Sequence, residues 1–214
     1  MTVLLVGAAV LAYLLGSIPT AVWYGRAFFN TDIRQHGSGN AGATNTFRVL
    51  GKRAGTIVLL VDALKGYAAA SLAFFITTLF PLTDNELLGC QLLFGFLAVL
   101  GHLYPIFAQF RGGKGVATLL GMVLAIRPDV AALCIGIWLL VVTASQYVSL
   151  GSLLAALAFP VLLLLRVFGQ PENPMLIGFG FLVFVVVAIT HKKNIGRLLQ
   201  GNENRTILIK LKKK

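Results

Sequence analysis

The chain has 214 residues, 57% of them hydrophobic and only 12% charged, where a soluble domain is roughly 45–50% apolar and about 25% charged. That much apolar surface cannot be hidden inside a globule of this length, so soluble, disordered and collagen-like classes are excluded. The 18 Lys and Arg against 7 Asp and Glu give a net charge of +11, an excess that polytopic membrane proteins keep in their cytoplasmic loops.

The expected fold is all-α: a transmembrane bundle of about seven spans, in one domain covering residues 1–214. Span 1 is predicted from Val3 to Tyr24. Its apolar start lacks a basic leader and a small-residue cleavage site, so it reads as a span rather than a removed signal peptide. A polar, glycine-rich segment follows from Arg26 to Arg53. Span 2, Ala54 to Phe80, carries Asp62 and Lys65. An acidic turn, Pro81 to Glu86, leads to span 3, Leu87 to Phe107. A basic glycine-rich turn, Gln109 to Gly115, precedes a short apolar stretch from Val116 to Ile126. Span 5 is Val130 to Ala144, span 6 is Leu150 to Phe168, and span 7 is Met175 to Thr190, after a turn at Gln170 to Pro174. The tail from His191 is polar and basic. The apolar runs are too long for barrel strands and do not alternate.

Parity decides the short stretch. With the N-terminus outside and Val116–Ile126 crossing, Arg26, Arg34, Arg48, Lys52, Arg53, Arg111, Lys114 and the basic tail all lie inside. Asp84, Glu86, Asp129 and Glu172 then face out. The C-terminus is cytoplasmic, and the three polar segments are expected to meet at the cytoplasmic surface.

The first segment reads Ser38-Gly39-Asn40-Ala41-Gly42-Ala43-Thr44-Asn45-Thr46-Phe47-Arg48. Small residues let the backbone approach an anion, Ser38, Asn40, Thr44 and Asn45 add donors, and Arg48 adds a guanidinium fork for phosphate. A flexible loop with a helix N-cap fits the composition equally well. In the second segment Gly112, Gly113 and Gly115 surround Lys114 just before a helical run. Amides and a cation at a helix N-terminus suit an anion, although a basic surface turn would read similarly. It is not a nucleotide-binding P-loop, because Lys114 is followed by Gly115 rather than Ser or Thr. His102 reads equally as a structural or a site histidine. In the third segment, His191 and Asn194 share a face if span 7 continues as a helix; an interfacial cluster of snorkelling cations is the alternative.

Asp62 and Lys65 are three apart inside span 2 and read best as a mutually satisfied pair. Glu203 and Asp32 are the only acids expected inside; a lone carboxylate among cations reads as an ion-pair partner rather than a base. Cys90 and Cys134 lie in apolar runs and read as packing residues. No metal site or organic cofactor is expected. Scattered cations without a recognition module exclude nucleic acid. A phosphate transporter is disfavoured, because the polar motifs cluster at one face and no internal repeat is evident.

Together the stretches SGNAGATNTFR, DALKG, GHLYPIFAQFRGGKGVAT and HKKNIGR resemble the signature segments of the bacterial acyl-phosphate:glycerol-3-phosphate acyltransferase family, in that family's order and over nearly the whole chain. The resemblance implies acyl transfer from acyl phosphate to the 1-hydroxyl of sn-glycerol 3-phosphate, giving lysophosphatidic acid and phosphate. It implies multi-pass location in the bacterial inner membrane with the active site at the cytoplasmic face. Membrane lipid and the two substrates are then the partners, without an obligate protein partner. It places an essential serine and arginine at Ser38 and Arg48, and a phosphate loop at Gly112 to Gly115. It places an activity-linked pair at His191 and Asn194, and a glutamate of structural importance at Glu203. The H-x4-D pattern of thioester-dependent glycerolipid acyltransferases is absent: five residues after His36, His102 and His191 stand Ala41, Phe107 and Gly196. The reacting hydroxyl is expected to lose its proton to His191 or, preferentially, to the donor phosphate. A covalent acyl-Ser38 intermediate is the less favoured variant, because no acid–base relay surrounds that serine.

Overall fold

The computed structural model describes residues 1–169 and 172–206, and they fold into helices joined by short turns, with no strand among them. Gln170 and Pro171 of the expected turn, and the last basic residues from Ile207 to Lys214, lie outside the described residues. Two compact units form, one over Met1–Arg127 and one from Pro128 onward.

The first unit holds six helices: α1 (Thr2–Ser17), α2 (Thr20–Phe29), α3 (Ala43–Leu50), α4 (Lys52–Leu79), α5 (Asp84–Leu103) and α6 (Val116–Ile126). The predicted first span is broken. Pro19 cannot donate a backbone hydrogen bond, and α2 leaves α1 at 42°. The break leaves the Ile18 carbonyl without its helical partner, and the Lys65 ammonium donates to it at 2.9 Å. The start of α5 is fixed by a capping box. The Glu86 carboxylate accepts from the Thr83 amide at 2.8 Å, and the Thr83 hydroxyl accepts from the Glu86 amide at 3.4 Å.

In this unit α4 packs on α1, α5 and α6, and α1 packs on α5. Glycines make the closest approaches. A Cβ added to Gly66 would fall on the Thr118 carbonyl, and one on Gly121 would fall on the Ala63 carbonyl, so α4 and α6 meet backbone to backbone. Gly16 and Gly101 do the same for α1 and α5, against Ala98 and Tyr13. Helices in lipid gain little from hiding apolar surface from each other, and close backbone packing supplies the association instead. Ala12, Ala69, Ala73, Ile76, Phe94 and Ala98 form a buried cluster between α1, α4 and α5.

The second unit holds α7 (Pro128–Ser145), α8 (Val148–Leu164), α9 (Pro174–Thr190) and α10 (Lys192–Leu199). Helix α8 packs on α7 and α9. Asn173 caps α9, accepting from the Met175 amide at 2.9 Å, with Pro174 at the first helical position. Past His191 the chain is again helical, as α10, turned by 68° from α9.

Among the described residues, three segments can cross a bilayer by length and composition: α4, Asp84–Ala108 and α7. Each bent pair, α1 with α2 and α9 with α10, adds one more, giving up to five. Helix α6 has 11 residues and α8 has 17, rising about 16 and 25 Å against a hydrocarbon core of about 30 Å.

Candidate active site

The first polar segment is an ordered loop built around two side chains. Asp32 caps a short 3-10 turn, Ile33–Gln35, by accepting from the Arg34 amide at 3.1 Å. The Arg34 guanidinium returns a fork to the same carboxylate, at 3.0 and 2.7 Å, and Arg26 adds a third donor group at 2.8 Å. The Arg34 bonds, working against burial, hold the Asp32 carboxyl well below the usual carboxylate range. The remaining Arg34 amino group donates to the Ala108 carbonyl at 3.0 Å. A residue of the first loop thereby grips the turn that precedes Lys114.

Asn45 is buried, and its amide is spent on the loop itself. The Ser38 amide donates to its oxygen at 2.8 Å. Its nitrogen lies within donating distance of the Ile33, His36 and Asn40 carbonyls, at 3.1, 3.0 and 3.1 Å. Sequence reading offered Asn45 as a substrate donor; its groups are already engaged in shaping the loop. Gly37 lies in the left-handed region with φ 61°, and a Cβ there would strike the Asn45 oxygen. Ser38 and Thr44 are exposed, as is Arg48, and Asn40 is half-buried. Thr44 and Arg48 are four apart on α3 and share one face.

The second segment leaves α5 at Leu103, passes a 3-10 turn at Ile106–Ala108, and continues through Gln109 and Phe110, both at φ 58°. Left-handed backbone costs on the order of 1 kcal/mol at each non-glycine residue. Cross-bonds hold it there: the Phe110 amide donates to the Pro105 carbonyl at 2.9 Å, and the Arg111 amide to Ala108 at 3.2 Å. The Gly112 and Gly113 amides donate to the Leu103 and His102 carbonyls, at 3.2 and 3.1 Å. These two amides are therefore engaged by the end of α5. Their glycine character serves fit, since a Cβ on Gly112 would fall on the His102 carbonyl and one on Gly113 on the His102 ring. At the amino end of α6, the first-turn amides (Val116, Ala117 and Thr118) have no acceptor within the helix. Gly115, at φ 81°, turns the chain into that helix, and Lys114 stands beside it, half-buried.

Beneath this turn lies a buried polar cluster. Asp62 takes the Thr20 hydroxyl at 2.9 Å and pairs with Lys65 at 2.8 Å. The expected Asp62–Lys65 pair is present. Thr20 and His102 as its neighbours were not anticipated, because their proximity depends on the α1–α2 break and on α5 packing. The D-x-R spacing of Asp32 and Arg34, in a chain this poor in acids, was a usable signal that sequence reading passed over.

In the second unit, the His191 ring nitrogen Nδ1 lies 2.8 Å from the Val187 carbonyl. A carbonyl only accepts, so Nδ1 carries the hydrogen and Nε2 is the basic nitrogen of the neutral ring. His191 and Asn194 are both buried, at 3% and 7% exposure. The Asn194 amide donates to Glu203 at 2.6 Å, Arg197 at 2.7 Å and Ser149 at 3.1 Å. With three donors on one carboxylate, Glu203 is an organiser, as its isolation among cations suggested. The tail is drawn back onto the α7–α8 connection, where the Thr206 amide donates to the Gln146 carbonyl at 2.8 Å.

Comparison with known proteins agrees with these motifs. Residues 6–201 match the family model described as glycerol-3-phosphate acyltransferase. A glycerol-3-phosphate acyltransferase of Salinibacter ruber is 43% identical over 204 residues, covering 91% of this chain and 89% of its own. One from Chlorobaculum tepidum is 43% identical over 218 residues, covering 92% and 94%. The crystal structure of PlsY (YgiH), an integral membrane glycerol 3-phosphate acyltransferase, in its glycerol 3-phosphate form superposes with a TM-score of 0.80 at 37% identity, covering 94% of this chain and 95% of that one. Its lysophosphatidic acid form gives 0.80 at 36% identity, covering 95% and 96%. With its polar loops, its glycine turn and its buried His191–Asn194 pair all inside the matched range, this chain belongs to the glycerol-3-phosphate acyltransferase family, whose solved members are integral membrane proteins.

Proposed function

We propose that this protein transfers a fatty acyl group from acyl phosphate to the 1-hydroxyl of sn-glycerol 3-phosphate, releasing lysophosphatidic acid and phosphate in the first committed step of bacterial phospholipid synthesis. The observation that carries the reading is the glycine turn with Lys114 at the amino end of α6, in a chain 37% identical to a protein solved with glycerol 3-phosphate. Both substrates are anions, so the enzyme must hold two phosphates against their repulsion. A cationic, donor-rich surface meets that need. Lys114, Arg48 and the first-turn amides of α6 hold phosphate, with Asn40 and Thr44 as further donors. Gly112, Gly113 and Gly115 shape the turn, and Asn45 keeps the first loop in its folded shape.

Acyl phosphate is already activated, so alignment and charge neutralisation carry most of the work. Ser38, Asn194 and His191 orient the hydroxyl. Its oxygen bonds to the acyl carbon, the bond from that carbon to the phosphate oxygen breaks, and the proton passes to the departing phosphate or to His191 Nε2. No cofactor, metal or obligate protein partner is required by this chemistry. The whole chain acts as one membrane-embedded domain of seven crossings in the inner membrane. The N-terminus lies outside, and the C-terminus and active site face the cytoplasm. The distribution of Lys and Arg supports this orientation. In it the short helices α6 and α8 complete the count of crossings.

The test is an assay of detergent-purified protein with labelled glycerol 3-phosphate and, in separate reactions, palmitoyl phosphate, palmitoyl-CoA or palmitoyl-acyl carrier protein. Lysophosphatidic acid is expected with palmitoyl phosphate alone. Product from a thioester, with none from the acyl phosphate, would overturn the donor assignment.

A further inference from the structure

The buried cluster under the glycine turn has no part in the reaction as described so far, yet it touches the turn directly. His102 is 6% exposed and sits in the last turn of α5. Its carbonyl accepts the Gly113 amide at 3.1 Å. Its ring Nε2 occupies the space that a Gly113 side chain would take, with Cδ2 and Cε1 each 3.1 Å from that point. One residue therefore supports Gly113 from both its backbone and its side chain. On the other side of the ring, Nδ1 stands 3.6 Å from Asp62 Oδ1, too far for a hydrogen bond, and has no such partner among the described residues. The same Asp62 oxygen takes Lys65 Nζ at 2.8 Å and the Thr20 hydroxyl at 2.9 Å. Lys65 in turn holds the Ile18 carbonyl at the α1–α2 break.

Stability alone is a weak reason for this arrangement. A buried ion pair is often matched or bettered by apolar residues of the same volume, and an unbonded ring nitrogen adds a further cost. What the cluster does supply is position, since the Asp62–Lys65 pair, Thr20 and the Ile18 carbonyl tie α4 to α2 and to the α1–α2 break beside the ring. We propose that His102, packed beside the Asp62–Lys65–Thr20 cluster, is a positioning residue for the glycine turn, setting Gly113 and thereby Lys114 at the phosphate of glycerol 3-phosphate. The ring faces the Gly113 backbone rather than a substrate, so its part is geometric and it exchanges no proton. This inference rests on the phosphate-holding role assigned above to the turn.

The test compares Gly113→Ala, His102→Ala and the two together, in purified full-length enzyme with glycerol 3-phosphate and palmitoyl phosphate. Gly113→Ala forces a methyl onto the ring and is expected to raise the KM for glycerol 3-phosphate by about tenfold or more. His102→Ala removes the support and should raise the same KM about tenfold, with the KM for palmitoyl phosphate changed less than about twofold. In the double variant the methyl enters the space the ring has left, so its KM for glycerol 3-phosphate should fall below that of Gly113→Ala alone. A ring needed only for folding gives no such rescue. Asp62→Asn combined with Lys65→Met removes both charges without stranding either, and should reproduce the His102→Ala profile. A folded His102→Ala enzyme with the normal KM, or a double variant no better than Gly113→Ala, overturns the inference while leaving the phosphate role intact. An unchanged KM in Gly113→Ala overturns both.

Discussion

Asn45 shows how much one buried amide can organise. Its oxygen and nitrogen tie Ser38, Ile33, His36 and Asn40 into a single turn. Asn45→Ala would strand these backbone groups, each worth about 1 kcal/mol when bonded and 1–3 when buried without a partner. A total cost of about 2–4 kcal/mol is expected, read as a fall in apparent Tm of roughly 5–15 °C in detergent. Activity should fall further than the folded fraction does, because Ser38 and Arg48 depend on the loop's shape; equal losses would reduce Asn45 to a folding residue. From sequence alone Asn45 was indistinguishable from Asn40, since both are small polar residues in one glycine-rich stretch. Burial separates them, and burial here depends on Gly37 adopting a left-handed turn that brings residue 38 back over residue 45. The roles of Gly112 and Gly113 were hidden for the same reason. A glycine read in isolation advertises an available amide, and only the position of α5 reveals that the amide is taken.

At the scale of elements, the boundaries of α4, α7 and α9 lie within two residues of the predicted spans, because long apolar runs between polar ends leave the chain little choice. The predicted first span missed a bend, and a second bend lies just past the predicted end of span 7. Pro19 breaks the first span, since it brings no amide hydrogen to continue the α1 ladder. At the second bend, α10 turns toward the carboxylate at Glu203, a contact nine residues from Asn194 that helix periodicity does not encode. That carboxylate also gives the fold a pH signature. Burial pushes Glu203 up, but the bonds from Arg197, Asn194 and Ser149 outweigh it and hold the group below its ordinary 4.5. A carboxylate lowered by folding adds stability that is fully present above its unfolded value and is lost as the pH drops through the folded one. Apparent Tm should therefore decline from about pH 4.5 downward, with Asp32, held lower still by Arg34, extending the decline. Glu203→Gln should lower Tm at pH 7 and flatten the upper part of that acid limb. A Tm–pH curve superimposable on the unsubstituted protein's would show that the network contributes nothing to folding.

For the molecule as a whole, composition gave the class and the apolar runs gave most of the helices, but the packing of the first unit was not readable. It depends on which glycines face a neighbouring backbone, and an apolar helix shows no polar face from which to infer that direction. Gly121→Ala should force α6 away from Ala63 of α4, costing on the order of 2–4 kcal/mol. Gly136→Ala, with nothing within 4 Å of its added carbon, should be neutral or stabilise by up to about 1 kcal/mol. Thermal unfolding of the two variants side by side checks the contrast, and equal midpoints would refute the close-packing account.

Where main chain rests on main chain, as at Gly16, Gly66, Gly101 and Gly121, there are no rotamers to exchange and no lubricating layer of side chains. Such seams resist sliding and rolling alike. Within the first unit, whatever rearrangement accompanies each turnover is thus left to the connecting segments and the side chains at helix ends, while the framework that carries them stays still from one cycle to the next.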